Sequence, residues 1–60
     1  MNANYFERQI AHHERAARGF DAQAIQARDA GDRDRASRLK AMARAERDDA
    51  AQARKRLARI

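Results

Sequence analysis

The sequence contains no cysteine and no proline, and only two glycines and three aromatic residues among its 60 positions. Without cysteine the chain has no disulfide, no thiolate metal ligand and no thiol nucleophile. The sequence has no run of about 18 apolar residues, so it predicts no transmembrane helix. It also lacks the basic segment followed by an apolar core that marks a secretory signal. We therefore expect a cytoplasmic protein without a membrane partner.

Large hydrophobic side chains are also scarce, because 16 of the 26 hydrophobic residues are alanine. Small domains bury a low fraction of their surface and are marginal when they fold alone. Alanine and arginine, which dominate the composition with 16 and 12 residues, are strong helix formers. The chain is thus expected to form helices and to depend on self-association or on a partner.

One segment is typical of a turn between two helices. Gly31 suits the left-handed residue that follows a helix, and Asp32 or Asp34 suits the N-cap of the next helix. Asn4 followed by Glu7 resembles a capping box at the start of the chain. These signals predict a single domain over residues 1–60, with helices at about 4–30 and about 33–60 and a turn at about 30–33.

Apolar residues recur at alternating steps of three and four in both halves of the chain, which is the pattern of a coiled coil. We call these positions the seam, and they predict an all-α fold, an antiparallel two-helix hairpin. Only His13 and Glu46 break the apolar rule. The seam comprises residues 3, 6, 10, 13, 17, 20, 24 and 27, and residues 36, 39, 43, 46, 50, 53, 57 and 60.

Charges beside the seam support the antiparallel arrangement. Three acids follow seam residues 6, 13 and 20 in the first helix, and three bases follow seam residues 39, 46 and 53 in the second. Such exposed pairs add little stability but favour one orientation of the helices. Folding the hairpin about its turn predicts the pairs Glu7–Arg54, Glu14–Arg47 and Asp21–Lys40.

The opposite flank has fewer charges and several small residues, so we expect a second hairpin to dock there and form a four-helix bundle. The arrangement resembles ROP-type helical hairpins, which pair into such bundles, in architecture alone. Gly19, in the middle of a helix, has two explanations: close packing of another helix, or a tolerated surface glycine. The predicted interface consists of Tyr5, Gln9, Ala16, Gly19, Gln23, Met42 and Ala45.

His13 and Glu46 lie one layer apart in the seam, near enough to reach each other diagonally. A buried polar pair can specify register and oligomeric state, but in a loose core both side chains would extend to solvent instead. His12 and His13 point about 100° apart, which is unsuitable for a metal pair on one helix. We expect no metal, cofactor-binding or catalytic site, and no enzyme.

The functional hypothesis is a small non-enzymatic adaptor, regulator or assembly factor: a homodimer that presents helix faces to a protein partner. The alternative is an accessory that binds RNA or DNA, because the net charge is +5 and the sequence pI is about 11.1. Arginine-rich helices contact phosphate readily. In that alternative the contacts are in the second helix: Arg33, Arg35, Arg38, Arg44, Lys55, Arg56 and Arg59.

Overall fold

The computed structural model describes residues 3–60 and has two helices, α1 (Ala3–Asp29) and α2 (Arg33–Ala58). They pack side by side along their whole length in a rod of 45 × 13 × 11 Å. Contacts such as Glu14 with Arg54 and Asp21 with Arg47 show that the helices are antiparallel. The predicted all-α fold, with two long helices packed against each other, is confirmed.

The turn between the helices follows the predicted chemistry. Gly31 has a φ of +83°, the left-handed conformation that glycine adopts without steric cost. The amide N–H of Gly31 donates to the Arg28 carbonyl at 2.9 Å, and that of Asp32 donates to the Ala27 carbonyl at 2.9 Å. These two bonds form a Schellman motif, which satisfies carbonyls at the end of α1. The Asp32 carboxylate then caps α2 by accepting from the Arg35 amide at 3.1 Å.

The predicted start of α1 and the predicted end of α2 both need correction. Asn4 is not an N-cap, because α1 already includes Ala3. At the other end α2 stops at Ala58, two residues earlier than predicted, and the N–H groups of Arg59 and Ile60 bond to carbonyls three residues back. Ile60 is 65% exposed, lies beyond the end of α2 and does not belong to the described core.

The core lies along the predicted seam and consists mostly of alanine. Phe6 and Leu39 are the only large residues that are buried among the described positions. Because alanine projects so little, the two backbones approach closely. Every described seam position except residue 60 is at least partly buried. The remaining buried residues are Ala17, Ala24, Ala27, Ala36, Ala43, Ala50 and Ala53.

The ion pairs, however, lie one heptad away from the predicted register. Arg54 contacts Glu14 rather than Glu7, and Arg47 contacts Asp21 rather than Glu14. The prediction compared backbone levels alone and was wrong for this reason. Each Cα–Cβ bond tilts towards the N-terminus of its helix, so side chains of antiparallel helices lean in opposite directions. Each acid of α1 therefore meets the arginine of α2 that lies one heptad closer to the C-terminus of α2 than the predicted partner.

The same shift leaves Lys40, the third predicted base, without its predicted partner. Asp21 is occupied by Arg47, so the predicted Asp21–Lys40 pair does not form. Among the described residues Glu7 and Lys40 have no ion pair. Lys40 instead lines a groove together with Arg28, the residue that the observed register places opposite it.

Candidate functional site

Of the two alternatives that the sequence left open for the polar seam positions, the structure has the pair. His13 Nδ1 lies 2.6 Å from Glu46 Oε2, across the two helices. Because a carboxylate only accepts, the ring N–H of His13 is the donor. The side chains are 22% and 25% exposed, which agrees with a paired polar layer and not with two side chains extended to solvent. This layer divides the alanine core at about the middle of α2.

Asp49 lies beside this pair, and sequence reasoning missed it. His13, Glu46 and Asp49 each place one potential ligand atom within 4.8 Å of the others. The sequence argument considered ligands on one helix only, whereas these residues come from two. The spacing Glu46–Asp49, three residues apart on one helix face, was the available signal. The His13–Glu46 hydrogen bond already satisfies two of the three groups, and Asp49 is exposed.

A second regular stripe, without any charged residue, runs along α1 next to the seam. Its members are again spaced by alternating steps of four and three, so they share one face of the helix. All eight charged residues of α1 lie outside both this stripe and the seam. We call it the docking stripe, and it consists of Tyr5, Gln9, His12, Ala16, Gly19, Gln23 and Gln26.

The docking stripe contains five of the seven predicted interface residues; Gln9 and Ala16 are partly buried, and its other members are exposed. Tyr5 is 45% exposed and Met42, on the neighbouring face of α2, is 48% exposed. Tyr5 is held at the end of the stripe by a 2.8 Å hydrogen bond from the Gln9 amide and by an edge-on contact with the Phe6 ring. A Cβ atom added at Gly19 would meet nothing within 4 Å. Packing within the hairpin therefore does not require glycine at that position.

The other flank of the hairpin carries a positively charged groove beside the turn. This basic groove is open, has a volume of about 470 Å³, and is lined by residues of both helices. Within residues 3–60 none of its three cations makes an ion pair. The lining consists of Arg28, Gly31, Arg33, Ala36, Ser37 and Lys40.

The seven basic residues predicted as nucleic-acid contacts do not lie together on one face. Arg33 belongs to the basic groove, and Arg44, eleven residues further along α2, projects to the same side by helical spacing. Arg35 and Arg38 line a separate groove with Leu39 and Met42. By the same spacing Lys55, eleven residues beyond Arg44, projects to the side of Arg33 and Arg44, whereas Arg56 lies on the Met42 side and Arg59 lies beyond the end of α2. Arg28, which the prediction omitted, completes the basic groove.

Neither helix of the described segment is apolar enough over a sufficient length to cross a membrane. No protein-family model matches the chain, and no curated protein or solved structure is similar to it. The chemistry of the two flanks is therefore the basis on which function is inferred.

Proposed function

We propose that the chain is a non-enzymatic interaction module that self-associates through the docking stripe of α1 into a four-helix bundle. The observation that carries this proposal is the absence of charge from seven regularly spaced positions in a chain of which 38% is charged. A solvated helix face has no physical reason to exclude charge. A face that loses water against another helix does, because an unpaired charge is costly to desolvate.

The occupant we assign to the docking stripe is a second copy of the chain. Two-fold symmetric interfaces bring the same patch together on both subunits. With Ala16 at the symmetry axis, the residues before it in the stripe are complementary to the residues after it on the other copy. In an antiparallel α1–α1 pairing, Gln9 lies opposite Gln23 of the other copy and His12 lies opposite Gly19. Amide faces amide, and a large side chain faces a small one, as interdigitated helices require.

Self-association would also relieve the shortage of apolar burial within one hairpin. Tyr5 and Met42 are both about half exposed and border the docking stripe. Each gains on the order of 1 kcal/mol when the remaining half of its side chain is covered. The small residues Ala16 and Gly19 at the centre let the backbones of the two α1 helices approach closely. Protein partners would then contact the outer faces of the bundle.

The test introduces a charge into the docking stripe. Ala16→Arg is expected to abolish the dimer, because it places a guanidinium at the symmetry axis opposite its own copy. Ala22→Arg is the matched control, since Ala22 is exposed on the outward face of the same helix and receives the same side chain. Sedimentation equilibrium at tens of micromolar should show a dimer for wild type and Ala22→Arg, and a monomer for Ala16→Arg.

Circular dichroism on the same samples separates loss of association from loss of folding. A wild-type protein that sediments as a fully helical monomer would refute the proposal. A dimer that survives Ala16→Arg unchanged would show that another face associates, and would refute the assignment of the docking stripe.

A further inference from the structure

The basic groove beside the turn contains an unfavourable arrangement of like charges. On this flank the observed register pairs residue 14 with 54 and residue 21 with 47, an acid with a base in each case. One heptad nearer the turn, the same register places Arg28 opposite Lys40, and both line the basic groove. Two facing cations repel each other at short range. Arg33 adds a third positive charge to the same groove.

Nearby acids do not neutralise this cluster. The Asp32 carboxylate is directed to the Arg35 amide as the cap of α2. Asp29 and Asp34 make no ion pair within the described part of the chain, and Asp34 lies on the other side of α2 by helical spacing. Asp21, the nearest acid along the flank, is bound to Arg47. An external anion is thus the group that would convert this repulsion into attraction.

Donor types in the basic groove suit a phosphate group. The two guanidinium groups provide forked N–H donors that match phosphate oxygens, and Lys40 provides a compact point charge. The Ser37 hydroxyl adds a neutral donor, and Gly31 leaves the entrance without a side chain. Charge-assisted hydrogen bonds of this kind are roughly twice as strong as neutral ones.

The charge continues beyond the groove, which favours a polymer over a single phosphate ion. Arg44 follows Lys40 on the same flank of α2 and makes no ion pair within residues 3–60. Arg33 and Arg44 are eleven residues apart, so the row of cations extends for about 16 Å along the helix axis. Tyr5, Phe6 and Phe20, the aromatic residues of the chain, lie on the stripe or in the seam. The flank therefore has no platform on which bases could stack.

We propose that the basic groove binds the phosphodiester backbone of a nucleic acid, independently of base sequence, through Arg28, Arg33 and Lys40. This surface is on the opposite flank from the docking stripe and does not depend on it. Phosphate contacts position a protein on nucleic acid without reading the bases. The proposal replaces the broader set of α2 residues predicted from the sequence by one groove to which both helices contribute.

The test measures how salt weakens binding to a fluorescent 20-bp duplex DNA of mixed sequence. Three phosphate contacts predict a slope of about −2.7 for the logarithm of affinity against the logarithm of salt concentration, or roughly 40-fold weaker binding at 200 mM than at 50 mM. Lys40→Gln should reduce the slope by about one, to roughly 12-fold over the same range. Arg15→Gln removes one positive charge from the outward face of α1, one heptad before Ala22 and at an exposed position, and should retain the wild-type slope.

Three results would overturn the proposal. The first is no binding to the duplex at 50 mM salt, and the second is an equal effect of Lys40→Gln and Arg15→Gln, which would indicate general charge attraction. The third is saturable binding of inorganic phosphate in calorimetry, sensitive to Lys40→Gln, with an affinity that the duplex does not exceed. Thermal unfolding and sedimentation of each variant test whether folding and association are unchanged, so this test and the test of self-association can fail separately.

Discussion

Substituting Gly19 by alanine distinguishes a docking stripe that contacts another helix from one that remains in water. Gly19 lies in the interior of α1 with an ordinary helical backbone, and a Cβ at this position would meet nothing within 4 Å. The substitution therefore introduces no clash within the hairpin. It removes the conformational entropy that glycine loses on folding, which is worth about 0.5–1 kcal/mol in a helix interior.

For a hairpin that stays monomeric, Gly19→Ala can only stabilise. A gain of 1 kcal/mol raises the Tm of a domain of this size by about 4–8 °C. In a dimer packed through Ala16 and Gly19, the added methyl group instead separates the two α1 backbones. Overpacking at such a contact costs typically 1–3 kcal/mol, which weakens the dimer Kd by roughly 5- to 150-fold. Folding stability and association should therefore move in opposite directions.

Thermal unfolding at a concentration well below the dimer Kd gives the first quantity, and sedimentation equilibrium gives the second. Ala22→Gly is the matched control, because it reverses the propensity change on the outward face of α1. It should lower the Tm of the monomer by a similar amount without affecting contacts in the docking stripe. A Gly19→Ala variant that is both more stable and equally or more dimeric would refute the reasoning, and Gly19 would then be a tolerated surface glycine.

Three further predictions concern the hairpin itself. Gly31→Ala should destabilise by about 1–2 kcal/mol although its Cβ would also meet open space, because alanine resists a positive φ; urea unfolding measures the loss, and a gain would contradict the assigned turn. A double-mutant cycle on Glu14 and Arg54 should give a coupling of about 0.2–1 kcal/mol, whereas a cycle on Glu7 and Arg54 should give none; the reverse would restore the register predicted from sequence. Replacing His13 and Glu46 together by leucine should be neutral or stabilising by 1–4 kcal/mol, and a large loss of stability in urea unfolding would show that the polar pair is required for folding.

The periodicity of the sequence predicted the seam well because burial of apolar residues leaves a regular trace. Steps of three and four identify the buried face of each helix whatever the partner is, and Phe6, Leu39 and the core alanines follow them. The turn was equally predictable, since Gly31 and Asp32 satisfy backbone requirements that few other residues meet. The C-terminal end of α2 was less predictable, because the last backbone N–H groups can bond three residues back as well as four.

Side-chain partners were harder to predict because they depend on the direction in which each side chain leans. Numbering alone placed Glu14 opposite Arg47, whereas the tilt of the Cα–Cβ bonds brings it to Arg54. The same omission concealed the basic groove: an Asp21–Lys40 pair would have neutralised the position that is in fact opposite Arg28. Asp49 was missed for a related reason, since its proximity to His13 is visible only when both helices are considered together.

The two proposed surfaces are compatible because they occupy opposite flanks of one thin rod. If two hairpins associate through their docking stripes, the basic grooves remain exposed, one on each copy. Two grooves on one dimer bind a long duplex more tightly than one groove does, because the second contact forms at a high effective concentration. Ala16→Arg should therefore weaken binding to a duplex long enough to contact both grooves, but should have little effect on a duplex too short to span them. This length dependence follows only if both surfaces function as proposed, and an equal effect of Ala16→Arg on both duplexes would show that the grooves act independently of the dimer.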